Sequence, residues 1–327
     1  NQMSSDDRLR GMFVYAGAGQ TGRFSARAAQ LHNLVRDVLP DAEERIEEIK
    51  TMTPQQYQLL HSDPIMHTAS KLIRPALIAP PGKLFVIGDF SAVEAKGVPW
   101  LAGNQYEVEA WASGADRYVE DAANAFGVSE DEAVPLRQAG KVVRLAAQFG
   151  GKGGSLLAMS KGYGLELSEA DAHNMADAWH EANPWVEQYG RKLEKAAKLA
   201  VSNPGEVFEV GEHIKYCSEY LSNSVKVLRC LLPSGRVISY HDVELVPSQY
   251  GGHDLSAIKP STGARARIWY GMLIENCTQA MCNDLLRYAM VLVDAEYPIV
   301  AHVHDELVVE VEDEEHIARL QELMEQK

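Results

Sequence analysis

In residues 299–311 the polar cluster His304-Asp305-Glu306 separates two β-branched apolar runs. The pattern predicts a hairpin with His304-Asp305 at or next to the bend. A carboxylate at such a junction can grip a divalent cation, because the sheet beneath fixes its direction. Asp305 is therefore the first candidate for chemistry. An acidic surface turn would carry the same residues in a chain with 46 Asp plus Glu. His302-x-His304-Asp305 also has the superficial form of a metallohydrolase ligand set. Against it, strand alternation sends His302 and His304 to one face and Asp305 to the other unless the turn intervenes. No further ligand follows at hydrolase spacing.

Asp89 stands in a comparable place. Leu84-Phe85-Val86-Ile87 is a continuous apolar run that predicts a buried strand, preceded by Pro80-Pro81-Gly82 and ended by Gly88. Asp89 follows the strand, and Ser91 is expected to cap a helix running from Ala92 toward Leu101. Glu94, about one turn into that helix, is expected near the same mouth. Pro99 should kink or shorten the helix, at a cost of about 3 kcal/mol if fully interior. A plain turn aspartate is the alternative for Asp89.

A third segment carries cations. Arg137, Lys141, Leu145 and Phe149 are spaced by four, so one helix would align two cations, an aliphatic side chain and a ring. Such a stripe suits a triphosphate at one end and a base and sugar at the other; a surface helix with snorkelling cations would share it. Gly150-Gly151-Lys152-Gly153-Gly154 should break the helix into a flexible loop. It is not a Walker A motif, since Gly-Lys is not followed by Ser or Thr.

The elements that must position these groups are legible in outline. Residues 8–34 read as a strand around Met12-Phe13-Val14-Tyr15, a glycine-punctuated loop and irregular backbone. There Thr21-Gly22-Arg23 lets backbone and guanidinium approach a ligand. Residues 41–52 are helical in composition, and Thr53-Pro54 fits an N-cap with Pro at N1. Residues 168–200 predict helices broken at Asn183-Pro184. Residues 225–229 and 236–240 predict a hairpin across Pro233-Ser234-Gly235. From Ile268 to Val293, Leu273, Cys277, Met281, Leu285, Ala289 and Leu292 recur at helical spacing and predict a long helix with one face inward. Gln279 and Asn283 share another of its faces.

The chain has 327 residues with 46% hydrophobic and 24% charged content, ample for several substructures around a core. No apolar run approaches the ~20 residues of a membrane span, and the polar start has no signal-peptide pattern, so no membrane partner and a cytoplasmic location are expected. Cys217, Cys230, Cys277 and Cys282 lack zinc spacing and predict ordinary reduced thiols. The net charge of −15 argues against indiscriminate nucleic-acid binding. Its distribution leaves room for a local site: residues 8–36 contain Arg8, Arg10, Arg23, Arg27 and Arg36 without an acid, whereas residues 312–327 carry six acids and two basic residues. A basic strip on an acidic body can orient a phosphate backbone; a solvated arginine face is the alternative.

Taken together, these segments resemble the polymerase region of family A DNA polymerases, particularly the bacteriophage members. Asp89-Phe90-Ser91-Ala92-Val93-Glu94-Ala95 is similar to motif A, Arg137-x3-Lys141-x7-Phe149-Gly150 to motif B, and Val303-His304-Asp305-Glu306 to motif C. Thr21-Gly22-Arg23-Phe24-Ser25 with Gln30-Leu31-His32-Asn33-Leu34, and Glu275-Asn276-x2-Gln279-Ala280, add two further matches.

The resemblance implies an α+β fold: a split polymerase palm of antiparallel sheet and helices, with a mainly helical fingers insertion. Palm would occupy residues 1–97 and 247–327, and fingers with a β-hairpin insertion residues 98–246. It further implies two Mg²⁺ ions held by Asp89 and Asp305, with Arg137 and Lys141 on the triphosphate of a dNTP. Lys141 would also donate a proton to pyrophosphate. Leu145, Phe149 and Tyr118 would border the nucleotide, and Glu94 would act as a steric gate against a 2′-hydroxyl. Arg23, Asn33, Gln279 and His304 would contact primer-template DNA. Phe149 stands where many relatives have Tyr, so no phenol reaches Glu94. Leu145 replaces an aromatic residue of several relatives, which predicts strong discrimination against dideoxynucleotides. Tyr118 takes the place of a phosphate-binding His, and Ala92 and Pro99 also depart from the commoner pattern.

The resemblance implies a palm-and-fingers piece of a longer replicative enzyme, without thumb or exonuclease domain and short of the last palm segment. Nothing in the sequence identifies a processivity factor. The cellular setting implied is the cytoplasm of an infected bacterium. An inactive DNA-binding fragment and a single-subunit RNA polymerase are the alternatives; Glu94 and the Glu306 that follows Asp305 weigh against the latter.

Overall fold

Strand Ile299–Val303 turns through His304-Asp305 into strand Glu306–Val311, as the alternation of residues 299–311 predicts. The structure, a computed structural model, describes residues 4–35, 39–222 and 224–326. The chain divides into two compact units, one of residues 1–17, 24–90 and 285–327, the other of 18–23 and 91–284.

In the first unit the hairpin pairs antiparallel with strand Leu84–Asp89, giving a three-stranded sheet. The register runs from Val311 opposite Leu84 to Glu306 opposite Asp89. One face is covered by helix Ile317–Glu325 and by the last turns of helix Tyr270–Asp294. Val86, Leu307, Val309 and Val311 bury there against Leu286, Ala289, Val293, Leu320, Leu323 and Met324. Gly88 lets the Met324 side chain pack directly on the strand, since a Cβ there would displace the Met324 sulfur. The 84–87 run is not buried on both faces as expected: Val86 is buried, but Ile87 is 59% exposed, since its strand ends the sheet order and alternation turns Ile87 away from the covering helix. Elsewhere in this unit, Phe13–Val14 pairs with Ser25–Ala26. Helices Ala42–Thr51 and Pro54–Leu60 follow, the second with the predicted Thr53 cap, completed as a capping box by Gln56.

The second unit begins its helical part with Val93–Ala102, capped by Ala92 rather than by Ser91. Ala92 is in the left-handed region (φ 56), so the helix starts one residue later than expected. Pro99 is buried inside that helix, which continues past it to Ala102. Helix Arg137–Ala147 ends before Phe149, which therefore does not share its stripe as a helical residue. Gly150, at φ +81, makes the break, but Gly153 and Gly154 already begin helix Gly153–Gly162, so the loop is shorter than expected. A Cβ on Gly153 would meet the His173 ring. Helices Glu169–Ala182 and Pro184–Ser202 meet at the predicted Asn183-Pro184 break.

The predicted 225–240 hairpin is the centre of something larger. Strands Val207–Val210, Ile214–Tyr220, Lys226–Leu231, Val237–Pro247, His253–Ile258 and Arg265–Ile268 form a six-stranded antiparallel sheet in chain order. Its core joins Tyr216, Leu228 and Leu255 to Trp179, Leu193, Leu273 and Cys277. Helix Tyr270–Asp294 forms where predicted, but Leu285 is 46% exposed. Four-residue steps overrun the helical turn by about 40° each, and beyond Met281 the buried positions move to Leu286, Ala289 and Val293. All four cysteines are free thiols.

Candidate active site

Two of the predicted carboxylates come from one end of one sheet. Glu306 lies directly opposite Asp89 in the strand register, and the Phe90 N–H donates to the Asp305 carbonyl at 3.2 Å. The two strand ends that carry Asp89 and Asp305 are thus joined backbone to backbone. Asp89 is exposed and Asp305 half-buried. His304 completes the bend at φ 55, a left-handed conformation that His adopts more readily than most residues. Its Nε2 meets the carbonyl of His32 at 3.1 Å, and next to His32 the Asn33 amide donates to Gln30 Oε1 at 2.8 Å.

His302 and His304 do not converge as a ligand pair. His302 is 5% exposed, its ring tilted against those of Phe13 and Phe24 at centroid separations of 4.2 and 4.4 Å. Burial, with His32 beside it, pulls its pKa down to about 4. Among the described residues no group of three or more His, Cys, Asp or Glu side chains gathers as a metal cage. A pair of carboxylates at an open sheet end is nonetheless a donor set that suits Mg²⁺, which keeps several waters and takes phosphate oxygens from a substrate.

In the second unit, Arg23 and Glu94 form an ion pair at 3.0 Å. Burial raises the pKa of Glu275, with the Arg23 charge opposing it, and Gln279 donates to Glu275 at 3.3 Å. The structure thus brings Arg23, Glu94, Glu275 and Gln279 into one cluster. Its loop is clamped by Arg236, which donates to the carbonyls of Thr21 at 2.9 Å and Ala280 at 2.8 Å and pairs with Asp284. The Asn283 amide donates to the Gly22 carbonyl.

Helix Arg137–Ala147 presents Arg137 exposed and Lys141 and Leu145 half-buried, while Ala139, Val142, Val143, Ala146 and Ala147 are buried. No carboxylate pairs with Lys141 among the described residues. Arg137 pairs with Asp116 at 2.5 Å and lies 5.1 Å from the centre of the Tyr118 ring. Tyr118 is only 5% exposed, and burial raises its pKa. Phe149 is half-buried, and its carbonyl lies where a Cβ on Gly271 would fall.

Among the described residues, each arginine of the expected basic strip has a partner within the fold. Arg8 pairs with Glu310 at 2.9 Å, Arg10 with Asp6 at 2.6 Å, and Arg23 with Glu94. Arg27 donates to the Gly11 carbonyl at 2.6 Å. A run without acids in sequence thus meets acids or a carbonyl in the fold. Arg36 lies outside the described residues.

Sequence reading missed the clamp of Arg236 and a buried cluster of Glu107, Arg117, Asp121, Arg144 and Trp179. Arg144 follows Arg137 by seven residues, a spacing that assigns it to the same solvent-facing stripe. Its burial becomes visible only once the acids of two other helices are in place.

No family model matches the chain. It is 31% identical over 314 residues to a DNA polymerase of Bacillus phage SP02, covering 94% of this chain and 47% of that one. It is 25% identical over 275 residues to the thermostable DNA polymerase I of Thermus filiformis, covering 81% of this chain and 27% of that one. Among solved structures it is similar to the POL domain of Pol1 from M. smegmatis in complex with DNA primer-template and dNTP. That match has a TM-score of 0.58 at 19% identity, covering 99% of this chain and 45% of the other. The chain spans less than half the length of these relatives. The similarity to the phage polymerase extends over nearly the whole chain, and the mixed helix and antiparallel sheet architecture is similar to that of a polymerase domain.

Proposed function

We propose that this relative of the family A DNA polymerases is the palm-and-fingers part of a bacteriophage-type enzyme. It transfers a nucleotide from a dNTP to a primer 3′-hydroxyl on a template and releases pyrophosphate. The observation that carries the reading is the backbone junction of Asp89 and Asp305 at one sheet end, in a chain 31% identical to a phage DNA polymerase over 94% of its length.

In this reading Asp89 and Asp305 are the metal-holding carboxylates. When bound there, two Mg²⁺ ions supply activation of the primer hydroxyl and neutralisation of the charge on pyrophosphate. Arg137 and Lys141 bind the triphosphate, and Lys141 supplies a proton to the leaving group. Phe149 supports the base, Leu145 and Tyr118 border the nucleotide, and Glu94 excludes a 2′-hydroxyl. The Arg23 pair holds the Glu94 carboxylate in the absence of a phenol at position 149. Gln279, Asn33, His304 and Arg23 face primer-template DNA. Palm then corresponds to residues 1–97 and 247–327 and fingers to 98–246. The work is done in the cytoplasm of an infected host cell. No helix among the described residues is long and apolar enough to cross a membrane.

The test is extension of a primed template in Mg²⁺ with dNTPs and with rNTPs, alongside primer-template binding. The reading expects template-matched deoxynucleotide addition and little ribonucleotide addition. DNA binding without any extension supports the binding-fragment alternative, and preference for rNTPs supports an RNA polymerase.

A further inference from the structure

We propose that Arg144 is a positioning residue for the nucleotide-facing stripe of the 137–147 helix, acting through a buried ionic cluster with Asp121 and Glu107. The inference rests on the polymerase reading above. Arg144 and Asp121 are each 1% exposed and Glu107 2%. Arg144 forks onto Asp121, with Nε on Oδ2 and Nη2 on Oδ1 at 3.0 Å, and its Nη1 donates to Glu107 Oε2 at 3.2 Å. Arg117 takes the other Glu107 oxygen, and the Trp179 indole N–H donates to Asp121 Oδ1 at 2.7 Å. The Trp111 and Trp179 rings lie 5.7 and 5.8 Å from the Arg144 guanidinium carbon.

The partners come from helices Gln105–Ala112, Arg117–Phe126 and Glu169–Ala182. Arg144 therefore ties the 137–147 helix to three others at once. At 100° per residue it sits beside Arg137 and Lys141, at the buried edge of their stripe. A rotation or slide of the helix would strand its guanidinium and two carboxylates away from water, which buried charges do not tolerate. An apolar core would stabilise the helix equally well but would permit small rotations. The fork is directional and fixes which way Arg137, Lys141 and Leu145 point. Burial raises the Asp121 pKa while Arg144 opposes the rise, and Arg144 keeps its proton because both acids outweigh its own burial.

Arg144→Lys keeps the charge and loses the fork. Single-nucleotide incorporation by the parent and this variant should show KM for the dNTP raised roughly tenfold. The kcat should stay within about threefold and the primer-template Kd should be unchanged. Asp121→Asn, which keeps an acceptor for Trp179, should give the same split and serves if Arg144→Lys does not fold. An unchanged KM in a folded variant overturns the inference. So does a loss of activity that only follows the folded fraction, or a failure of both variants to fold, since the cluster is then merely structural. A parent that binds DNA but neither binds nor adds dNTP overturns the polymerase reading, and the inference with it.

Discussion

The Phe90 N–H donates to the Asp305 carbonyl at 3.2 Å, so the backbone that carries Asp89 is hydrogen-bonded to the backbone that carries Asp305. A sheet holds this separation more stiffly than two loops could, and reach becomes the limiting quantity at the site. Asp89→Glu, which keeps the charge and adds one methylene, is expected to slow single-turnover extension by ~100-fold with primer-template affinity retained. A rate within about threefold of the parent would contradict a geometric role for Asp89.

Gly140 faces the 117–126 helix so closely that a Cβ would fall on the Tyr118 carbonyl and against Ala122. Backbone cannot yield as a side-chain tip can. Gly140→Ala is expected to destabilise the chain by about 1–3 kcal/mol in urea unfolding, despite the better helix propensity of Ala. Equal or greater stability would show that the two helices can part at no cost.

Burial, with His32 beside it, holds the His302 pKa well below its ordinary 6.5, at about 4. Between these values the unfolded chain binds the proton that the folded chain refuses. Stability should therefore fall as pH drops from about 6.5 toward 4. His302→Phe removes this contribution, and its stability–pH profile should be flatter over that window. Parallel profiles for parent and variant would rule His302 out as the source.

Leu145 offers an aliphatic side chain on the stripe that carries Lys141. Chain-termination assays with matched deoxy- and dideoxynucleotides should show strong preference for the deoxy form. Parity between the two would remove Leu145 from the nucleotide site.

The 299–311 hairpin and the 270–294 helix were legible because alternation and helical spacing are properties of single elements. The pairing of strand 84–89 with strand 306–311 joins segments more than two hundred residues apart, and only the motif order pointed to it. The six-stranded sheet was read as one hairpin: its central turn carries Pro233-Ser234-Gly235, whereas its outer strands are short or interrupted by polar residues. Arginine partners were the least legible feature. Arg23 and Glu94 are 71 positions apart, Arg8 and Glu310 are 302 apart, and local composition is silent on both. Ser91 and Ala92 show a local rule overridden, since the better capping residue yields to a left-handed Ala at the strand–helix junction.

The most direct test of the central claim is single-nucleotide extension of a primed template in Mg²⁺, with protein in excess, for the parent and Asp305→Asn. The account predicts template-matched addition by the parent and its loss in the variant, with primer-template binding retained by both. Extension that survives Asp305→Asn at the parental rate would contradict the assignment of this sheet end as the catalytic site.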